Sequence, residues 1–298
     1  MTSLKYEDLT SRNHTYIPAE TQDRIRATRV LIAGAGMGST IGEAAVRMGF
    51  EAITLIDGDV VEGHNLNRQA FTASDIGHPK VDALAARLRA INPNAQIREI
   101  NDWLGPANAG DLVRDSDLVF DAIDFLSMGA IVALHDECRV QQKPIVSVAS
   151  AGFGAMAIYF SPDNPHSIRE FFGLPLIGPV ADSSYVKHFA QIVRRISHQL
   201  DPLTVTAMEK TFATMEDATP CPAPHLVIGS SSMAALAMTI AVRIFQGEPV
   251  TEAPELILFG WGEICTRPGL NLTKAPLPSI ASSKHNEIFG DTEGGIKI

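Results

Sequence analysis

The feature that most constrains the fold is the run Val30-Leu-Ile-Ala33 entering Gly34-Ala-Gly36-Met-Gly38, followed by a second apolar run, Ile53-Thr-Leu-Ile-Asp57, that ends in a carboxylate. A short β-branched and aliphatic run that stops at glycines suits a strand buried on both faces and then a tight turn. Between the two runs Ile41, Ala44, Ala45 and Met48 fall at i, i+3, i+4 and i+7, one apolar helical face, and Gly49 stands where a helix C-terminal cap is wanted. Strand, helix and strand of this length make a βαβ unit.

The pattern continues along the chain. Val81, Leu84, Ala85, Leu88 and Ile91 line a helix that stops before Pro93, and further strands are expected at 97–100, 118–123, 145–149 and 153–160, with a helix near 128–141. Alternating helices and continuous apolar strands predict an α/β fold of Rossmann-like, doubly wound type, a mostly parallel sheet with helices on both faces. From Ser161 to Pro224 prolines punctuate the chain and a single segment reads as helical, with Val186, Phe189, Ile192, Val193 and Ile196 on one face. That texture predicts an insertion that covers a substrate site, after which a long apolar helix at 226–246 and a strand at 255–260 resume the core. The expected organisation is an N-terminal arm (1–28), a nucleotide-binding core (29–160), the insertion (161–224), a return to the core (225–264) and a Pro-, Ser- and Gly-rich tail (265–298).

Composition limits the partners. The 298 residues are 45% apolar and 19% charged, enough for a sizeable core, and the net charge of −10 argues against broad binding to nucleic acid or anionic membrane. No signal-type segment is evident and the longest apolar stretch, 233–242, is only half a membrane span, so a cytoplasmic, reducing location is expected. Cys138, Cys221 and Cys265 form no CxxC pair, which speaks against a disulfide framework or a cysteine-built zinc site. Cys138 follows Ile131 and Leu134 on one helical face and reads as core; Cys265 reads as a loop residue after the last strand; Cys221 is the loop cysteine of the insertion.

The chemistry gathers at the strand ends. A glycine turn between strand and helix lets backbone N–H groups approach a phosphate or ribose at the positive end of the helix dipole, and Asp57 lies near the ~20-residue spacing of a ribose-binding carboxylate. The same two features suit a nicotinamide dinucleotide. The stretch from Asp57 and Asp59 through Asn65, Asn67, Arg68 and Gln69 to Lys80 then adds a guanidinium able to fork phosphate oxygens and an ammonium at a helix start. Asp124, after the 118–123 strand, offers hard oxygens suited to magnesium. His64 and His78 flank this region as loop residues.

The runs RVLIAGAGMGS, LIDGDVVEGHNLNRQ, DIGHPKV and FDAID resemble the ThiF/MoeB family, the adenylating fold shared with ubiquitin-activating enzymes, over roughly 10–160 and again over about 225–260. The resemblance implies an ATP-dependent adenylyltransferase that, with magnesium, activates a carboxylate as an acyl-adenylate and releases pyrophosphate. The carboxylate is often that of a peptide or ubiquitin-like protein. By motif, Gly34, Gly36 and Gly38 line the nucleotide, Asp57 and Asp59 meet ribose and the metal side, and Asn65, Arg68, Gln69 and Lys80 hold the triphosphate. Asp124 matches the magnesium-associated aspartate, and Arg12 resembles the arginine that reaches into the partner's site in a homodimer. The glycine turn is one residue shorter than the common form, Phe125 stands where the family usually has Asn, and the absence of CxxC pairs places the chain in a zinc-free branch. Two other readings stand beside this one: a nicotinamide-dependent oxidoreductase, and a catalytically silent partner in an activating heterodimer. A tRNA-modifying reaction also belongs to the fold, and the acidic charge counts against it.

Overall fold

The computed structural model describes residues 4–180, 185–216 and 224–266. In chain order the elements are α1 (Tyr6–Thr10), α2 (Ala19–Ala27), β1 (Arg29–Ala33), α3 (Gly38–Met48), β2 (Ala52–Ile56), α4 (Lys80–Ile91), β3 (Gln96–Ile100), α5 (Ala109–Arg114), β4 (Leu118–Asp121), α6 (Met128–Val140), β5 (Ile145–Ala151), β6 (Gly154–Phe160), α7 (Ile168–Phe172), α8 (Tyr185–Ile196), α9 (Pro202–Glu216), α10 (Val227–Gln246), β7 (Ile257–Gly260) and α11 (Trp261–Thr266). Met1–Ile264 cluster as one unit and Cys265–Ile298 as a second.

One seven-stranded sheet runs in the order β3-β2-β1-β4-β5-β6-β7. The pairs from β3 to β5 are parallel, whereas β6 lies antiparallel to both β5 and β7. Strand alternation explains why the strands read as continuous apolar runs: side chains at successive positions enter different cores. Val30, Ile32, Leu118 and Phe120 pack with residues of α3, α4 and α10, while Leu31, Ala33 and Val119 pack with residues of α5 and α6 on the opposite face. Each Leu, Ile or Phe so buried contributes about 1.5–3 kcal/mol. α10 is long and apolar enough to span a bilayer by length and composition, but half of that stretch is buried within the fold, against α3, β5 and β6.

Several expectations are corrected. The 161–224 segment carries three helices among its described residues, α7, α8 and α9, where the sequence showed one. β4 stops at Asp121, so Asp124 sits in the following turn rather than at a strand end. Cys265 falls in α11, not in a loop. Cys138 is buried in α6 as expected, and burial pushes its thiol pKa up, the opposite of what a nucleophile needs. Cys221 and all but the first two residues of the tail lie outside the described residues.

The N-terminal arm is stitched to the far end of α3. Tyr6 Oη donates to the Gly49 carbonyl (3.1 Å), and Gln22 Nε2 donates to Tyr6 Oη (2.8 Å) and to the Met48 carbonyl (2.9 Å).

Candidate active site

The C-terminal ends of β1, β2 and β4 converge on one cavity of about 1140 Å³, the strand edge where open α/β sheets bind ligands. Gly34 opens the turn with φ +89°, and its N–H donates to the Ile56 carbonyl at 2.9 Å. A Cβ there would stand 2.5 Å from the Ala122 carbonyl oxygen, so the turn needs glycine for both conformation and space. Asp57 braces the rest of the turn: its Oδ2 accepts from the Ala35 and Gly36 N–H groups (2.8 and 3.2 Å) and its Oδ1 from the Asp59 N–H (2.9 Å). A carboxylate has further lone pairs, so this brace leaves room to accept from a ligand hydroxyl.

A short 3₁₀ turn, Gly63–Asn65, leads into the Asn65 to Gln69 block, which continues as an irregular turn. Asn65 is buried, its Oδ1 accepts from the Glu62 N–H (2.9 Å), and its carbonyl receives the N–H groups of Arg68 and Gln69. Its amide therefore shapes the turn that presents the next two side chains. Arg68 Nη1 donates to the His64 carbonyl (2.7 Å) and to Asn67 Oδ1 (2.9 Å), while Nε is buried without a protein partner. Burial lowers the Arg68 pKa and the Asp124 charge opposes this, while part of the guanidinium fork is already tethered. Gln69 Oε1 is likewise buried and unpartnered, and Gln69 Nε2 would lie 3.3 Å from a Cβ at Gly36.

Lys80, the first residue of α4, has a side chain only 9% exposed, and its Nζ pairs with Asp59 Oδ2, on a carboxyl group 44% exposed. Burial alone raises the Asp59 pKa; the Lys80 hydrogen bond, the Val60 N–H and the Lys80 charge together hold it below the usual value. Asp124 lines the cavity and accepts from the Leu126 N–H at 2.9 Å. Among the described residues no group of three or more His, Cys, Asp or Glu side chains gathers as a metal cage. One or two carboxylates facing a phosphate site is nevertheless the arrangement magnesium uses, because it keeps waters and takes phosphate oxygens. Asp124, with Asp59 on the same cavity, fits that ion.

Two of the residues to which the family resemblance assigns a role, Gly38 and Arg12, are not brought to the cavity. Gly38 packs inward, where a Cβ would meet Ile32 Cγ2 at 2.7 Å, so it serves helix-to-strand packing and does not line the pocket. Arg12 is exposed in the turn Ser11–Asn13 on the arm, at the C-terminal end of α3; the helix's 11 residues rise about 16 Å from that end to the glycine turn.

Other cavity residues carry no motif and escaped the sequence. Trp103 and Leu104, after β3, border the Asp57 end. His225, just before α10, lines the cavity with Nδ1 buried and unpartnered, and its carbonyl accepts from Asn67 Nδ2 at 3.0 Å. Burial, with the Arg68 charge beside it, pushes the imidazole below its usual pKa, and Asp124 opposes this. Val148, Ser150, Ala207, Met208 and Met233 line the same cavity, so α9 contributes to its wall. Beneath the floor, Asp121 Oδ2 is bonded to Ser147 Oγ (2.7 Å) and His135 Nε2 (3.1 Å), and its Oδ1 accepts from the Ile123 N–H (3.1 Å). This buried knot holds the turn that carries Asp124.

Comparison with known proteins gives the same direction. The chain is 32% identical over 165 residues to the SAMP-activating enzyme E1 of Haloferax volcanii, covering 55% of this chain and 60% of that one. It is 32% identical over 146 residues to the sulfur carrier protein adenylyltransferase of Thermus thermophilus, covering 48% and 53%. It is 38% identical over 119 residues to the tRNA threonylcarbamoyladenosine dehydratase of Escherichia coli, covering 39% and 44%. The matched segment thus spans less than two thirds of each of these relatives. Among solved structures, Escherichia coli MccB with MccA-N7isoASN superposes with a TM-score of 0.62 at 18% identity, covering 86% of this chain and 72% of that one. Escherichia coli TcdA gives 0.54 at 16%, covering 81% and 95%. These two likenesses are of fold. The family model described as the ThiF family matches residues 10–257, nearly the whole length over which the sheet and its cavity are built, and the chain belongs to the ThiF family.

Proposed function

We propose that this chain is an ATP-dependent adenylyltransferase that activates a carboxylate as an acyl-adenylate. The observation that carries the reading is the cavity itself: Asp57, Lys80, Arg68, Gln69 and Asp124 converge on one strand edge, with Arg68 Nε and Gln69 Oε1 buried there without a protein partner. Buried polar atoms left unpaired cost about 1–3 kcal/mol each, a cost recovered when a polar ligand seats. A nicotinamide dinucleotide would employ the glycine turn and Asp57 but gives Lys80 and Gln69 no task.

The residue types suit the chemistry. A substrate carboxylate oxygen bonds to the α-phosphorus as the bond from that phosphorus to the bridging oxygen of pyrophosphate breaks, so no serine, cysteine or histidine base is needed for this step. Catalysis then consists of alignment and of cations placed where phosphate charge builds. In this reading Asp57 accepts from the ribose, Arg68 and Lys80 hold the phosphates, and Asp124 with Asp59 holds magnesium, which when bound neutralises phosphate oxygens. The glycine turn at Gly34 and Gly36, whose N–H groups are used within the protein, borders the nucleotide through its bare Cα surface. The part of the cavity lined by Val148, Ser150, Ala207, Met208 and Met233 receives the acyl part, a peptide or small carrier-protein C-terminus or a small acid; relatives are named for SAMP and for sulfur carrier proteins, and a neighbour is bound to MccA.

The decisive assay is ATP:pyrophosphate exchange, screened against free small acids and against peptides and small proteins encoded beside the gene. Acid-dependent exchange that requires magnesium supports the reading. Absence of ATP binding by calorimetry, or nucleotide-dependent hydride transfer, overturns it.

Arg12 acts, in the same reading, from the second chain of a homodimer, because its own arm is anchored at the end of α3 remote from its own glycine turn. Equilibrium sedimentation at assay concentration is expected to find dimer; monomer alone, with exchange retained, removes Arg12 from the mechanism.

A further inference from the structure

Gly58, directly after Asp57, is not one of the positive-φ glycines, yet a Cβ on it would lie 2.7 Å from Trp103 Cδ2 and Cε2. Glycine is there because an indole lies against it. The loop that delivers the ring is tied down: the Trp103 N–H donates to Asp102 Oδ1 (2.8 Å), and Asn108 Nδ2 donates to the Trp103 carbonyl (3.0 Å). Asn108 Oδ1 also accepts from the Gly105 N–H (2.9 Å), and the Asp57 N–H donates to the Ile100 carbonyl at the end of β3 (3.3 Å). Although part of the ring covers Gly58, Trp103 remains 65% exposed and lines the cavity. A large aromatic on a loop so anchored, with most of its surface bare, gains little for the core by being there. An exposed π-face lying against Gly58, the residue next to Asp57, on the same cavity has the form of a stacking platform for a nucleotide base.

We propose that Trp103 is the base platform of this site: the purine of the bound nucleotide stacks on the indole, which Gly58 seats at the required height. This rests on the ATP reading of the cavity and deepens it by assigning the base, where the glycine turn, Arg68 and Lys80 concern only sugar and phosphates. Stacking is tolerant of base identity because every base has a π-face, so the platform strengthens nucleotide binding without itself selecting adenine.

The chain contains two tryptophans, Trp103 and Trp261, which makes the test direct. ATP and inorganic tripolyphosphate are titrated into the full-length wild type and into Trp103→Ala, Trp103→Phe, Gly58→Ala and Trp261→Phe, followed by calorimetry and tryptophan emission. The expected result is that ATP quenches emission in Trp261→Phe but not in Trp103→Phe. ATP affinity should fall about ten-fold in Trp103→Ala, with tripolyphosphate affinity unchanged. Gly58→Ala, which pushes the ring aside, should reproduce the loss for ATP while keeping the indole. Wild-type ATP affinity retained by Trp103→Ala, or equal losses for ATP and tripolyphosphate, overturns the platform and leaves the adenylation reading standing. Failure of ATP to bind the wild type overturns both.

Discussion

Replacing Lys80 by methionine lowers ATP affinity about a hundred-fold and pyrophosphate exchange by on the order of 10³, the loss typical of removing one preorganised charge or donor from a transition state. The size follows from position. Lys80 Nζ is held at the start of α4 on a side chain 9% exposed, so its charge acts through protein rather than bulk water. Opposite unit charges ~4 Å apart at an effective dielectric constant near 20 interact by about 4 kcal/mol, which is about 10³ in rate. Stability should move much less, because the partner left behind, Asp59, is 44% exposed and can be hydrated. The double variant Asp59→Asn/Lys80→Met removes the stranded carboxylate and is expected to unfold like wild type while staying inactive. Arg68→Ala should match the activity loss. If both single variants keep full exchange and ATP affinity, the phosphate roles assigned to these residues are wrong.

Gly34→Ala should cost about 3 kcal/mol and abolish nucleotide binding with it. Two effects add. At φ +89° an L side chain carries a conformational penalty of about 1–2 kcal/mol, and the new methyl would meet the Ala122 carbonyl oxygen at 2.5 Å, which is backbone and cannot swing away. Relief requires β1 and the end of β4 to separate, and that movement carries Asp124 with it. Gly77 separates the two effects: its φ is +86° but nothing lies within 4 Å of a Cβ there, so Gly77→Ala should cost about 1 kcal/mol. Urea unfolding of both variants measures the difference; equal losses would mean that sterics at Ala122 contribute nothing.

The first half of the chain is legible because its signals are local. β1 and β2 are covered on both faces and read as unbroken apolar runs, α3 and α4 keep a clean apolar stripe, and the Asn65 to Gln69 block is a contiguous motif. The 161–224 segment is less so, for reasons visible in its helices. α9 buries Thr204 and Thr211 alongside Phe212, so its inward face does not look apolar. α7 is only five residues long and has no period to detect, although its Ser167 to Glu170 capping box was present in the sequence. Trp103 and His225 belong to no pattern at all; each becomes a site residue only when folding brings it to the cavity. The same holds for the knot of Asp121, His135 and Ser147, assembled from β4, α6 and β5.

The 161–224 segment is tethered at both ends to the core. It departs from Phe160, in a strand buried along its whole length, and the chain returns through α10, which is packed on that strand and its neighbour. Both anchors are fixed by the core, whatever runs between them. Lengthening the tether between two fixed points is cheap, about 0.6 kcal/mol for each doubling. The chain between these anchors can therefore be lengthened or shortened, as a tool holder accepts different bits, without disturbing the cavity edge that bears Asp57, Arg68 and Lys80.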